Sequence, residues 1–114
     1  MLYAKHRLAK RADIERVFKK GRSFFVGNIG IRIAKNNLKV SRFTVVASLK
    51  VSKKAVDRNK LKRKLREIIR KEILPSVKPG FDGVISTKKP LLELSYNELQ
   101  SLTIKLFKKT KLLS

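Results

Sequence analysis

The sequence predicts an α+β fold in which one small, mainly antiparallel sheet packs against helices. Two observations lead to this prediction. Apolar residues recur every three or four positions in three segments, as in amphipathic helices, and every second position in the segments between them, as in half-buried strands. The resulting order of elements is α-β-β(-β)-α-β-α. A chain of 114 residues suits one domain, so we expect a single domain over residues 1–114, with a basic N-terminal arm over residues 1–10.

The N-terminal half predicts a helix followed by strands. Residues 11–20 place three apolar side chains on one helical face, and Gly21 follows as a C-terminal cap. The face consists of Ile14, Val17 and Phe18. Residues 23–35 then alternate with a period of two around Ile29, Ile31 and Ile33. Gly27 and Gly30 are consistent with either a bulge or a split into two strands.

The C-terminal half continues with a strand over residues 43–50 and a long helix over residues 53–73, for which Ser52 is the expected N-cap. A further strand is predicted over residues 81–87. The sequence Ser-Tyr-Asn-Glu at 95–98 has the form of a capping box and opens the last helix.

Charge restricts the function more than any other property. Thirty Lys and Arg residues face eight Asp and Glu residues, which gives a net charge of +22 and a pI of about 11.0. This balance indicates a polyanionic partner, nucleic acid first and an anionic membrane surface second. The chain has no cysteine, no apolar run near the ~18 residues of a membrane span and no signal-peptide core. These observations predict a cytoplasmic protein without a membrane partner.

The predicted central helix concentrates this charge. Its apolar stripe is Leu61, Leu65, Ile68, Ile69 and Ile73. Most of the remaining positions are Lys or Arg, and Asn59, Arg63, Arg66 and Arg70 share one flank. Because like charges one turn apart destabilise a helix by a few tenths of a kcal/mol per pair, we expect a partner molecule to supply the missing negative charge.

Catalytic patterns are missing, but one aromatic pattern indicates RNA binding. The sequence has no thiol, one histidine, no Gly-rich phosphate loop and only scattered carboxylates. Most phenylalanines occupy core-like positions. Phe18 and one of Phe24 and Phe25 are the candidates to stack on unpaired bases, because they flank the first helix and the first strand.

Four motifs in order resemble the protein subunit of bacterial ribonuclease P. The main motif is Arg58-Asn59-Lys60-Leu61-Lys62-Arg63-Lys64-Leu65-Arg66-Glu67, which is similar to the family's signature helix but has Lys60 where arginine is usual. Residues 13–21 resemble the family's first helix, with Ile14 in place of an aromatic residue. Residues 43–50 resemble the strand before the signature helix, and residues 81–90 resemble the strand that ends in two cations and a proline.

The resemblance implies a ribosomal-protein-like α+β sandwich with a left-handed β-α-β crossover. It implies that the RNA subunit, with Mg²⁺, cleaves the 5′ leader from precursor tRNA, and that the protein assists without being the catalyst. The implied partners are the ribonuclease P catalytic RNA, in a 1:1 heterodimer, and precursor tRNA. The implied Mg²⁺ is held by the RNA subunit, and none is bound by the protein alone.

The resemblance also assigns roles to individual residues. The RNA-facing positions of the central helix are Arg58, Asn59, Lys60, Lys62, Arg63 and Arg66, and Arg70 continues their flank. The cleft for the leader is expected to contain Ile14, Phe18, Arg32 and Lys50. A structural RNA-binding protein, such as a small ribosomal protein, is the alternative that composition and size leave open. A DNA-binding protein and a self-sufficient nuclease fit the sequence less well.

Overall fold

The structure, a computed structural model, describes residues 4–113, and its elements follow the predicted order. The helices are α1 (Arg11–Lys20), α2 (Ala55–Ile68) and α3 (Tyr96–Lys109). The strands are β1 (Arg22–Val26), β2 (Ile29–Lys35), β3 (Arg42–Val46) and β4 (Phe81–Thr87). A π-helical turn (Ile69–Ile73) extends α2, and 3₁₀ turns occupy Ala4–His6 and Lys89–Glu93. The bracketed third strand is therefore present, and the predicted α+β class is confirmed.

The four strands form one mixed sheet in the order β1-β2-β4-β3. The pairs β1–β2 and β2–β4 are antiparallel, whereas β3 and β4 are parallel. Helix α2 therefore forms the connection of a β-α-β crossover between neighbouring strands, as the resemblance implied. The left-handed sense of that crossover remains a prediction.

Each face of the sheet buries a different apolar cluster. The larger cluster joins one face to α2 and α3, and the rings of Phe43 and Phe107 meet edge to face within it at 5.2 Å between centroids. The smaller cluster lies under α1 on the other face and contains Leu8, Val17, Ala34 and Val84. Because α1 is a short helix, it covers only part of its face of the sheet.

A buried carboxylate fixes α1 on the sheet. The side chain of Asp82 in β4 is fully buried and accepts hydrogen bonds from two arginines and one asparagine. Arg16 of α1 donates to it at 2.6 Å, and Arg42 of β3 donates at 2.7 and 2.9 Å. The same hydrogen bonds raise the pKa of Arg42. One acidic residue thus joins α1, β3 and β4.

Two predicted element boundaries are wrong, each for a local reason. The strand predicted over 43–50 ends at Val46, because the side chain of Thr87 donates to the Val46 carbonyl at 2.9 Å and β4 stops there. Ser52 is not the N-cap of α2; the N-cap is Lys54, which has no side-chain cap. Instead, the Ser52 hydroxyl accepts from the Lys54 amide at 3.1 Å and donates to Asp57 at 3.0 Å.

Other predicted boundaries are confirmed. The residues of α1 match the predicted 11–20, and β4 matches the predicted 81–87. The chain splits between β1 and β2 at Gly27, whose φ of +57° is the left-handed conformation that glycine adopts readily. The capping box is complete, since Ser95 accepts from the Glu98 amide and Glu98 accepts from the Ser95 amide.

The N-terminal segment lies along the edge strand β3. Arg7 forms a parallel bridge with Phe43, and the Leu8 amide donates to the Phe43 carbonyl at 3.0 Å. Leu8 is buried beneath α1. The predicted basic arm over residues 1–10 is therefore placed on the sheet from residue 4 onward, and its first three residues lie outside the described residues.

Candidate nucleic-acid interface

An open groove, called here the sheet groove, runs across the part of the sheet that α1 leaves uncovered. Its volume is about 200 Å³. Helix α1 and all four strands line it with Phe18, Ser23, Phe25, Ile31, Arg32, Val46, Val84 and Ser86. The strand register explains this composition, because Phe25, Ser86 and Val46 lie in one row across the sheet, through the paired positions 25–30, 30–86 and 46–86.

Two exposed phenylalanines flank this groove. Phe18 of α1 is 53% exposed and Phe25 of β1 is 54% exposed, although fully apolar rings are normally buried. Phe24, which points to the opposite face, packs against the larger core cluster. The aromatic candidates left open by the sequence are therefore Phe18 and Phe25.

The absence of a side chain at Gly30 lets the Phe25 ring lie on the sheet. A Cβ atom at position 30 would come within 2.6 Å of two Phe25 ring carbons and 2.9 Å of the Ser86 hydroxyl. Such distances are far below van der Waals contact, so any larger residue would displace the ring. Gly30 thus forms the floor of the sheet groove.

Arg32 is the cation within the groove, and part of its guanidinium is used by the fold. Its Nε donates to the Val17 carbonyl near the C-terminal end of α1 at 3.2 Å, and another nitrogen donates to the Ser23 hydroxyl at 2.8 Å. These bonds hold Arg32 against α1. An arginine has five N–H donors, so further donors remain for an anion in the groove.

The other two predicted cleft residues lie outside the groove lining. Ile14 is half-buried and packs against the smaller apolar cluster under α1. Lys50 is exposed in the loop of residues 47–54, which leads from the groove to α2. Sequence reasoning placed all four residues together, whereas the structure brings together Phe18 and Arg32.

Helix α2 presents its cations outward because its apolar stripe is buried. Leu61, Leu65 and Ile68 face the core. Asn59, Lys60 and Arg63 are exposed, while Lys62 and Arg66 are half-buried. Among residues 4–113, the side chains of Lys60, Lys62, Arg63 and Arg66 form no ion pair. Their charge is therefore available to a partner.

The two ends of the predicted RNA-binding set also have partners within the fold. Arg58 donates to the Ser52 carbonyl at 2.8 Å. Arg70 forms an ion pair with Glu67, and Lys71 lies 3.3 Å from the same carboxylate. The hydrogen bond from Arg70, with help from Lys71, lowers the pKa of Glu67 to about 2.

The part of the chain that the structure describes was also searched for metal sites and membrane spans. Within residues 4–113, no three His, Cys, Asp or Glu side chains come together in a way that could hold a metal ion. Over the same residues, no helix has the length and apolar character needed to cross a membrane.

The fold and its uncompensated charge define a small α+β protein with a surface suited to a polyanion. The sequence model of the ribonuclease P family matches residues 2–111, and the chain belongs to this family. It is a protein subunit of ribonuclease P, the ribonucleoprotein enzyme that processes tRNA, and its partners are the ribonuclease P RNA and precursor tRNA. The alternative of a small ribosomal protein is not favoured.

Relatives of known name and structure agree with this assignment. The chain is 35% identical over 108 residues to the ribonuclease P protein component of Microcystis aeruginosa, covering 88% of this chain and 89% of that one. The corresponding protein of Clostridioides difficile is 32% identical, with 90% of each chain covered. The solved structure from Thermotoga maritima has a TM-score of 0.81 at 32% identity and covers 90% of this chain and 96% of that one. The Staphylococcus aureus protein has a TM-score of 0.84 at 25% identity, with 96% and 98% covered.

Several groove residues were not found by sequence reasoning. Gly30, Val46, Val84 and Ser86 belong to three strands that are far apart in sequence. The available signal was the pairing of a glycine in β2 with an aromatic residue in β1, since the hairpin at Gly27 fixes Phe25 opposite Gly30. The contribution of β4 requires knowledge of the strand order.

Proposed function

We propose that the outward cations of α2 bind the catalytic RNA, while the sheet groove holds the single-stranded 5′ leader of precursor tRNA. The observation that carries this proposal is the pair of exposed phenylalanines beside an arginine in an open groove. Aromatic rings stack on bases without selecting among them, and cations follow the phosphates. A groove of this kind binds a flexible strand of any sequence.

The RNA-binding set proposed for α2 consists of Arg58, Asn59, Lys60, Lys62, Arg63, Arg66 and Arg70. Arginine binds phosphate oxygens in pairs through its planar fork, whereas lysine acts as a point charge. Lys60 is therefore a weaker phosphate ligand than an arginine at this position. Arg58 and Arg70 already have intramolecular partners, so we expect Arg63 and Arg66 to contribute more affinity.

The cleft set is proposed in two tiers. Phe18 and Arg32 line the groove and contact the leader directly, together with Phe25. Ile14 supports the groove by packing beneath α1, and Lys50 attracts the strand as it leaves the sheet towards α2. Because mature tRNA lacks the leader, these contacts add affinity only for the precursor, and the product is released more readily.

The carboxylates of the protein do not suit a catalytic Mg²⁺ site. Asp82, which is the buried one, already accepts four hydrogen bonds from Arg16, Arg42 and Asn36. We therefore propose that the Mg²⁺ used in hydrolysis is held by the RNA subunit, in a 1:1 cytoplasmic complex with this protein. When bound there, the metal activates water and stabilises the developing charge on the phosphate.

Reconstitution tests the division of labour. The protein alone, with Mg²⁺, should leave precursor tRNA intact. The protein with a bacterial catalytic RNA at low Mg²⁺ should restore removal of the 5′ leader. Cleavage by the purified protein alone would contradict the assignment of chemistry to the RNA, and no effect on the catalytic RNA would favour a structural RNA-binding protein.

Salt dependence tests the role of α2. The double variant Arg63→Ala/Arg66→Ala should weaken binding to the catalytic RNA and reduce the log–log salt slope by about 0.7–0.9 per lost phosphate contact. The matched control is Lys10→Ala/Lys105→Ala, which removes the same charge from exposed positions outside α2 and the groove. An equal change of slope in both variants would show that α2 contributes only general charge.

A further inference from the structure

A second basic pocket lies on the opposite face of the sheet, beyond the C-terminal end of α3. We call it the C-terminal pocket. Its volume is about 400 Å³, twice that of the sheet groove. Its lining is Lys20, Arg22, Phe24, Ile33, Ala34, Lys35, Lys78, Phe81, Thr110, Lys111 and Leu112. The alternation of β1 separates the two sites, since Arg22 and Phe24 point to this pocket while Ser23 and Phe25 point to the groove.

The charge of the pocket is one-sided. Five of its lining residues are cations and none is acidic. Within residues 4–113, none of these five side chains takes part in an ion pair. Cations gathered in a concave site reinforce one another's potential and attract an anion more strongly than the same charges spread over a convex surface.

The floor of the pocket is apolar and partly aromatic. Phe24 and Phe81 are half-buried there, and the Arg22 guanidinium lies 5.7 Å from the centroid of the Phe24 ring. This cation–π contact holds the arginine at the rim of the pocket. A bare phosphate would use the cations and leave this floor without a contact.

The backbone at Lys111 is unusual. Its φ of +66° lies in the left-handed region, which is uncommon for residues other than glycine and asparagine. This conformation turns the chain after α3, and the Leu112 carbonyl then accepts from the Lys78 amide at 2.9 Å. The turn thereby brings Lys111 and Lys78 to the same pocket. Strained residues of this kind concentrate at ligand sites.

We propose that the C-terminal pocket binds one nucleotide of a single-stranded RNA segment, with its phosphate on the lysines and its base against Phe81 and Phe24. This site is separate from the sheet groove and from α2, so a strand bound here is a third RNA contact of the protein. The reading of these residues as ordinary solvated lysines accounts for their exposure. It does not account for a concave apolar floor beneath five unpaired cations.

The first experiment is an NMR titration of the full-length protein with three probes: a ten-nucleotide oligouridine, uridine monophosphate and inorganic phosphate. Saturable shifts of the Phe81 ring and of the Lys35 and Lys111 amides with oligouridine support the proposal, whether or not uridine monophosphate also produces them. The same shifts with inorganic phosphate would reduce the pocket to an anion site and overturn the proposal. Shifts with uridine monophosphate but not with oligouridine, or no shifts, would also overturn it.

The second experiment uses the variant Lys20→Ala/Lys78→Ala, whose positions are exposed and outside α2 and the sheet groove. Oligouridine affinity, read at the pocket signals, should fall, and its log–log salt slope should decrease by about 1.4–1.8 for two lost phosphate contacts. Signals from Phe18 and Phe25 should titrate as in the wild type. The control Lys10→Ala/Lys105→Ala should leave both sets unchanged, and an equal loss in that control would overturn the proposal.

The two sets of signals keep this inference separate from the proposed function. Loss of the pocket response with an intact groove response would refute only the third RNA contact. Loss of the groove response with an intact pocket response would refute only the leader site.

Discussion

Replacement of the buried carboxylate by an amide, Asp82→Asn, should destabilise the protein strongly. Asp82 is fully buried, and Arg16 and Arg42 both direct guanidinium nitrogens at it. Removing one partner of a buried ion pair typically costs about 3–5 kcal/mol, because the remaining charge is left without compensation. The side chains of Arg16 and Arg42 are 30% and 19% exposed, so water reaches part of the released charge. We therefore expect a loss near the lower end, about 3 kcal/mol.

Urea unfolding followed by circular dichroism measures this loss. The matched control is Glu15→Gln, which removes the same charge from an ion pair with Arg11 whose side chains are 93% and 60% exposed. Exposed pairs contribute between ~0 and ~1 kcal/mol, so the control should change the free energy of unfolding little. A loss below about 1 kcal/mol for Asp82→Asn would show that both arginines find water or other acceptors, and would refute the reasoning.

Asp82→Asn should also weaken leader binding in the population that remains folded. Arg16 joins α1 to Asp82, and α1 carries Phe18, which forms one wall of the sheet groove. Loosening this attachment lets the wall move away from the sheet. An oligouridine titration read at Phe18 and Phe25 checks this expectation, and an unchanged affinity would mean that the apolar contacts of α1 suffice to position the wall.

Three further predictions concern single residues. Gly30→Ala should displace the overlying aromatic ring and weaken oligouridine binding in the groove while the protein stays folded; unchanged affinity would contradict the role of the floor. Glu67, whose pKa falls from 4.5 to about 2 on folding, stabilises the folded state above pH 4.5, and this contribution is lost as the pH falls towards 2. Glu67→Gln should flatten that part of the pH dependence of urea unfolding, and an unaltered profile would refute the linkage. Ser95→Ala should cost about 1 kcal/mol by removing the cap of α3, whereas Ser101→Ala, inside the same helix, should cost less.

The sequence predicts the elements well because each carries its own periodicity. The period of 3.6 in α2 and α3 and the period of two in β2 place Leu65, Leu99 and Ile31 in the core, where the structure has them. Cap residues gave the start of α3 for the same reason, since a capping box is a local interaction between Ser95 and Glu98. These features depend on neighbours within one turn or one strand.

The features that sequence reasoning missed depend on contacts between distant segments. The end of β3 is decided by Thr87, which lies 41 residues further along the chain. Asp82 looked like one scattered carboxylate, because its partners Arg16 and Arg42 belong to other elements. The choice between Phe24 and Phe25 required the register of β1 against β2, and adjacent residues of a strand point to opposite faces.

The shared use of β1 by the sheet groove and the C-terminal pocket restricts how this segment can evolve. Odd-numbered residues of the strand serve one site and even-numbered residues the other. An insertion or deletion of a single residue in the hairpin would rotate every side chain of the strand to the wrong surface. Both sites would then be lost in one event, so length changes in this hairpin should be tolerated only in steps of two residues.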